Sequence, residues 1–182
     1  MTDLLDDLKI PPVIAGGLAV AAHGYQRETD DVDIVIPLTP ETSERFLSAA
    51  ESEGAEIKAR HSFGGADLRV PGGRLDVLFL YDPPQLVADA VHEAVHANRT
   101  TELFGDTVFV VALSYLIALK LVSERHKDVS DIVELIKVGI EESDWPTARS
   151  DIRSVLSKHL GWHGVKRFND LEAVARSEMG IS

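Results

Sequence analysis

The chain has no cysteine among its 182 residues, which excludes both a disulfide framework and a thiolate metal site. That absence fits a reducing, cytoplasmic setting. No apolar run approaches the length of a membrane span, and the opening MTDLLDDLKIPP has neither a basic start nor a long apolar stretch, so no export signal is expected. Basic residues are scarce: 18 Lys and Arg stand against 30 Asp and Glu, a formal charge of −12. Such a surface repels nucleic acid at long range and argues against coating a duplex, although a local basic patch can still steer one RNA end or a small anion. Internal repeats, low-complexity segments and a convincing linker are all missing. What remains is an ordinary globular composition, 45% hydrophobic, able to build a core.

The rest of the chain is organised around Val13 to Ile36, VIAGGLAVAAHGYQRETDDVDIVI. A short apolar run leads into Gly16-Gly17, where a strand turns into a helix and bares backbone N–H groups, a ready anion site. Gly24 closes that helix. In the second strand Asp31, Asp33 and Val35 share one face and Val32, Ile34 and Ile36 the other. Two carboxylates thus point the same way, about 7 Å apart along the strand. A phosphate cradle facing a carboxylate pair suits a nucleoside triphosphate held through divalent metal.

Further on, Thr2 caps a short acidic helix to Leu8, Thr39 caps a helix over about Glu41 to Ala50, and Glu56 to Ala59 is a weak strand. Asp67 to Val70 and Arg74 to Leu80 pair about a Pro71-Gly72-Gly73 turn. This leaves Asp76 as a carboxylate on an otherwise apolar face. Asp82-Pro83-Pro84 opens a helix to about His96, and short strands follow at Thr100–Leu103 and Thr107–Val110. Near Ala112 the character changes to all-α. Leu113–Ser123 is apolar almost all round, Lys127–Val138 is amphipathic, and two more helices meet near Gly161. The expected division is an α/β core over 1–111 and a helical portion over 112–182.

Gly16-Gly17 followed by Asp31-Val32-Asp33, with Asp76 in Arg74-Leu75-Asp76-Val77-Leu78, resembles the signature of the polymerase-beta-type nucleotidyltransferase superfamily. The later segments Leu113-Ser114-Tyr115-Leu116-Ile117-Ala118-Leu119-Lys120-Leu121 and Lys127-Asp128-Val129-Ser130-Asp131-Ile132 are similar to the helical signature of small bacterial AbiEii-like enzymes, many of them toxins of toxin–antitoxin pairs. The resemblance spans about residues 12 to 137. It implies an α+β fold with a mixed β-sheet core and a C-terminal helical portion. It also implies Mg²⁺-dependent transfer of a nucleoside monophosphate from an NTP to a hydroxyl on an RNA 3′ end such as tRNA, a protein or a small molecule, with an antitoxin as a possible partner.

By the same resemblance, Asp31, Asp33 and Asp76 hold two Mg²⁺ ions, for which hard carboxylate oxygens are suited. Gly16 and Gly17 admit the β- and γ-phosphates, Arg27 adds positive charge there, and Lys120 and Asp131 lie at the active-site edge. An isolated DxD is most often a solvated turn; Asp76 argues otherwise, because a lone carboxylate among apolar residues is costly unless paired or metal-bound. For Lys120, mid-way along the most apolar helix, a salt bridge to Asp128 or Asp131 and a phosphate contact are both open. Lys120, Arg125, Lys127, Arg149, Arg153 and Lys158 offer a local RNA-facing patch, against the plainer reading of solvating helix charges.

Two other motifs compete. His92-Glu93-Ala94-Val95-His96 is a literal HExxH, yet Arg99 and Glu102 occupy the positions where the extended zinc-protease pattern needs glycine and histidine. Glu124 is the downstream candidate for a third ligand, and an exposed helix is the default. A phosphatase reading of DxD fails because the apolar run follows the pair instead of preceding it. A non-catalytic nucleotide- or partner-binding domain that keeps the fold is the remaining alternative to an enzyme.

Overall fold

Strands and helices are interspersed as far as residue 110, and among the described residues only helices follow. The computed structural model describes residues 11–79, 83–103, 105–123 and 125–181. The expected Thr2–Leu8 helix, Leu80, Asp82 and Glu124 lie outside them. Helix α1 (Gly16–Ala22) lies between β1 (Val13–Ile14) and β2 (Asp31–Val35), and α2 (Pro40–Ser52) precedes β3 (Glu56–His61), β4 (Gly65–Val70) and β5 (Gly73–Leu78). Then come α3 (Pro84–His96), β6 (Thr100–Leu103), β7 (Asp106–Val110), α4 (Leu113–Ser123), α5 (His126–Glu141) and α6 (Trp145–Glu178). No helix among the described residues is long and apolar enough to cross a membrane.

The expected α+β class with a mixed sheet is what the chain adopts. Seven strands form one sheet in the order β3-β4-β5-β2-β1-β7-β6. β2 runs parallel to β5 and β1 parallel to β7, while the other four pairings are antiparallel. The chain divides into two compact units, Met1–Ala19 with Glu28–Val111, and Val20–Arg27 with Ala112–Ser182.

In the first unit, period-two alternation decides which face of each strand is buried. Ile34, Ala66, Leu68, Leu75 and Val77 are buried, and their neighbours Asp33, Asp67, Arg69, Arg74 and Asp76 are not. Phe46 of α2 meets Phe79, just past β5, edge to face at 6.0 Å. Thr39 caps α2 as expected, and Thr42 completes the capping box by accepting from the Thr39 N–H. Burial of Leu86, Val87, Ala90 and Ala94 gives α3 its inward stripe. β3 is two residues longer than its weak sequence signal, because pairing with β4 supplies the backbone bonds that propensity does not.

The second unit is a helical cluster in which α4, α5 and α6 all touch one another. Leu116, Ile117, Ile132, Leu135, Ile136, Ile152, Leu156 and Phe168 are its buried side chains. Gly161 breaks the helical geometry inside α6 with φ 64°, so the two helices expected to meet there form one interrupted stretch. Gly139 of α5 packs under Trp145, and a Cβ there would lie 2.6 Å from the indole ring. Gly139→Ala is therefore expected to lower unfolding stability by about 1–3 kcal/mol, measured by urea denaturation, despite alanine's better helix propensity.

Candidate active site

The glycine turn and the first carboxylates meet directly. Gly16 adopts φ 53°, a left-handed conformation, and a Cβ built on it would fall 1.8 Å from Asp33 Oδ2. Only glycine lets the carboxylate approach so closely. The Gly17 N–H donates to the same oxygen at 3.3 Å, and the Ala15 N–H donates to the Asp33 carbonyl at 2.9 Å. Asp31 is oriented by the Thr29 hydroxyl, which donates to its Oδ1 at 2.7 Å.

The third carboxylate arrives by strand pairing. β2 and β5 lie side by side with Asp33 opposite Asp76 and Asp31 opposite Arg74. Register partners on adjacent strands share a face and stand about 4.8 Å apart, so Asp76 is an immediate neighbour of Asp33. The β4–β5 hairpin adds a residue that the sequence reading did not single out: Asp67 lies opposite Asp76. One rung of the sheet therefore carries Asp33, Asp76 and Asp67 on three consecutive strands. The signal was available, because pairing about Pro71-Gly72 with Val70 opposite Gly73 forces Asp67 against Asp76.

Three like charges in a row should repel, and the effect is visible on the middle one. Burial pushes the Asp76 carboxyl up to about 6, and the charges of Asp67, Asp33 and Asp31 push it the same way, against a smaller opposing pull from Arg74. Its Oδ1 is buried and has no hydrogen-bond partner. At the far end Asp67 is held by His61, whose Nε2 lies 2.6 Å from Oδ1.

No group of three or more His, Asp or Glu among the described residues is arranged to hold a metal ion as it stands. Two observations nonetheless fit a divalent cation at this rung: the unpartnered oxygen of Asp76, and an all-carboxylate donor set whose repulsion a cation would relieve.

Lys120, Asp131 and Arg27 belong to the second unit and form a network of their own. Lys120 Nζ, almost fully buried, lies 2.8 Å from Asp128 Oδ1 and 2.6 Å from Asp131 Oδ2. Arg27 Nε is 2.9 Å from Asp131 Oδ1, and Arg125 Nε is 2.6 Å from Asp128 Oδ2. Burial alone would raise Asp128, but hydrogen bonds from Lys120, Ser123 and Arg125 outweigh it and hold the carboxyl below its usual range. Of the two readings open for Lys120, the salt bridge is the one observed, and it engages both candidate acids. The supposed RNA-facing patch is likewise largely committed: besides Lys120 and Arg125, Arg149 is 2.8 Å from Glu172.

His92 and His96 are exposed on α3 with ring centroids 4.0 Å apart, and Glu93 is tied to Arg99 at 2.6 Å. No third ligand joins the two histidines among the described residues.

No protein-family model and no curated protein matches the sequence. Among solved structures, the chain is similar to the antibiotic-resistance factor ANT(2'')-Ia, with 18% identity, TM-score 0.45, and 98% of this chain and 89% of that one covered. It is similar to the lincosamide antibiotic adenylyltransferase LnuA at 13% identity and TM-score 0.41, over 85% of this chain and 92% of that one. A tRNA nucleotidyltransferase complexed with a primer tRNA and an incoming ATP analog gives 16% identity and TM-score 0.40, over 96% of this chain and 59% of that one. These scores are too low to carry an inference.

Asp76 binds its proton more tightly folded than unfolded, so its burden on stability is absent below the unfolded value of 3.8 and grows as pH rises through about 6. Asp76→Asn is expected to raise stability at pH 7.5 in metal-free buffer by about 1–2 kcal/mol after solvent screening, with the gain vanishing near pH 4; thermal melts at both pH values check this. Lys120→Met leaves two buried carboxylates short of a partner and should cost about 3 kcal/mol in urea unfolding.

Proposed function

We propose that the chain is a metal-dependent nucleotidyltransferase, moving a nucleoside monophosphate from an NTP to an acceptor hydroxyl with release of pyrophosphate. The observation that carries this reading is the pairing of Asp33 with Asp76 beside the Gly16-Gly17 turn. It supports the motif resemblance with a spatial one: residues 43 positions apart (33 and 76) share one rung.

In this reading Asp31, Asp33 and Asp76 hold the divalent ions. When bound, such ions make the α-phosphate more electrophilic and stabilise charge on the attacking and leaving oxygens. Asp76, whose carboxyl burial pushes up to about 6, would hold the acceptor hydroxyl and take its proton. The Gly17 N–H, which donates to Asp33 in the free chain, can turn to a phosphate oxygen once that carboxylate engages a cation. Lys120, Asp128, Asp131 and Arg27 brace the helical unit. The toxin-type reading rests on the sequence pattern of residues 113–132, and the expectation of an antitoxin partner rests on it too.

The test is pyrophosphate release with Mg²⁺ and each NTP, offered total RNA, total protein, and small hydroxyl acceptors including an aminoglycoside and a lincosamide. Transfer of label that falls at least about a hundredfold in Asp33→Ala supports the enzyme. Nucleotide binding without turnover in the wild type points instead to a binding domain that keeps the fold. Growth arrest on expressing wild-type protein, relieved by Asp33→Ala, would support the toxin-type reading.

A further inference from the structure

One rung along the sheet from the carboxylates, the charge reverses. The register that sets Asp67 against Asp76 also sets Arg69 against Arg74, and β2 places Asp31 on the other side of Arg74. Residues two apart on a strand share a face, so both arginines lie on the carboxylate face, about 7 Å further along. Both are exposed, and among the described residues neither has a hydrogen bond or ion pair to a side chain. Lys58, in the bulge between Ile57 and Ala59, lines the same cavity of about 280 Å³ with Asp67, Leu68, Arg69 and Arg74. Like charges directly opposite on antiparallel strands are destabilising. On the outer flank Glu56 stands opposite Arg69, but its carboxylate is bonded to Lys58, and Asp31 on the inner flank accepts from Thr29. Neither bonds Arg69 or Arg74, so two facing guanidinium groups border the concavity without a bonded carboxylate.

We propose that Arg69 and Arg74 form an anion subsite for a phosphate group of the acceptor. This deepens the nucleotidyltransferase reading and rests on it. The assignment to the acceptor follows from position. The glycine turn, suited to the triphosphate, adjoins β2 through Asp33. The arginines sit beyond it on β5 and β4, with the shared carboxylate Asp76 between the two sides. A chain of net charge −12 gathers little phosphate by its overall field, so any affinity must come from this local cluster. The phosphate can belong to a nucleic-acid strand or to a small phosphate ester. Phe63, past the end of β4 that lies away from Arg69, is half exposed and stacked flat on His61 at 4.9 Å, a plate for a base further along a nucleic-acid strand in the first case.

The experiment reads binding without turnover. Inorganic phosphate is titrated by calorimetry, and a fluorescein-labelled octaribonucleotide by anisotropy, in low salt, against the wild type, Arg69→Gln/Arg74→Gln, Phe63→Ala and Asp33→Ala. The double variant is expected to lose about tenfold or more in affinity for phosphate while keeping the cooperative melt of the wild type, since it removes one facing like-charge pair together with its attraction to the opposite-charge neighbours Glu56 and Asp31. Oligonucleotide affinity that drops in Phe63→Ala, with phosphate affinity unchanged, identifies a strand as the source. Phosphate binding that depends on the arginines, with no stronger binding of the oligonucleotide, identifies a small phosphate ester. Unchanged phosphate affinity in the double variant overturns the subsite. Asp33→Ala should abolish transfer yet keep phosphate binding, which separates failure of this subsite from failure of the proposed activity.

Discussion

Electrostatic repulsion across the sheet is the constraint on which the site depends. Backbone pairing places Asp33, Asp76 and Asp67 on one rung and Arg74 beside Arg69 on the next. The acidic rung is unfavourable alone, since close like charges cost stability and the sheet's own hydrogen bonds must hold them there, whereas the two arginines are flanked by Asp31 and Glu56. The acidic rung is not neutralised by the arginines: Arg74 draws on Asp76 too weakly to offset burial and the acids around it. The first unit thus keeps a carboxylate cluster that would favour a cation beside two facing arginines that no carboxylate bonds.

The second unit solves the same electrostatic problem in the opposite way. Its buried acids, Asp128 and Asp131, are met by Lys120, Arg27 and Arg125 within the unit. A buried ion pair of this kind contributes less to net stability than its short distances suggest, because desolvation offsets much of the attraction. It does fix one arrangement, since removing any partner strands a charge. Satisfied charge therefore marks the scaffold of this protein, and frustrated charge marks its candidate site.

Much of this was legible in the sequence. The alternation of Asp31 and Asp33 with Val32 and Ile34, the glycine pair, the Thr39 cap and the break at Gly161 are local signals, and local physics decided them. That Asp76 faces Asp33 was reached through a family resemblance, because a parallel pairing across 43 positions leaves no local trace. Asp67 was overlooked although the hairpin alone determines its partner. The basic residues singled out in the sequence lie on helices, whereas Arg69 and Arg74 become neighbours only through strand pairing. Whether a cation is paired depends on tertiary neighbours, which is why the sequence left Lys120 open between a salt bridge and a phosphate contact and the fold shows the salt bridge.

The turn at Pro71-Gly72, with Gly72 at φ 101°, has a reach out of proportion to its size. It counts off the residues that set Asp67 against Asp76 and Arg69 against Arg74. Lengthen or shorten it by a single amino acid and β4 slides one step, carrying its charged side chains to the buried side and its leucine to the open one. In this protein the connecting loop would then tolerate changes of letter far better than changes of length, an inversion of the freedom usually granted to surface turns.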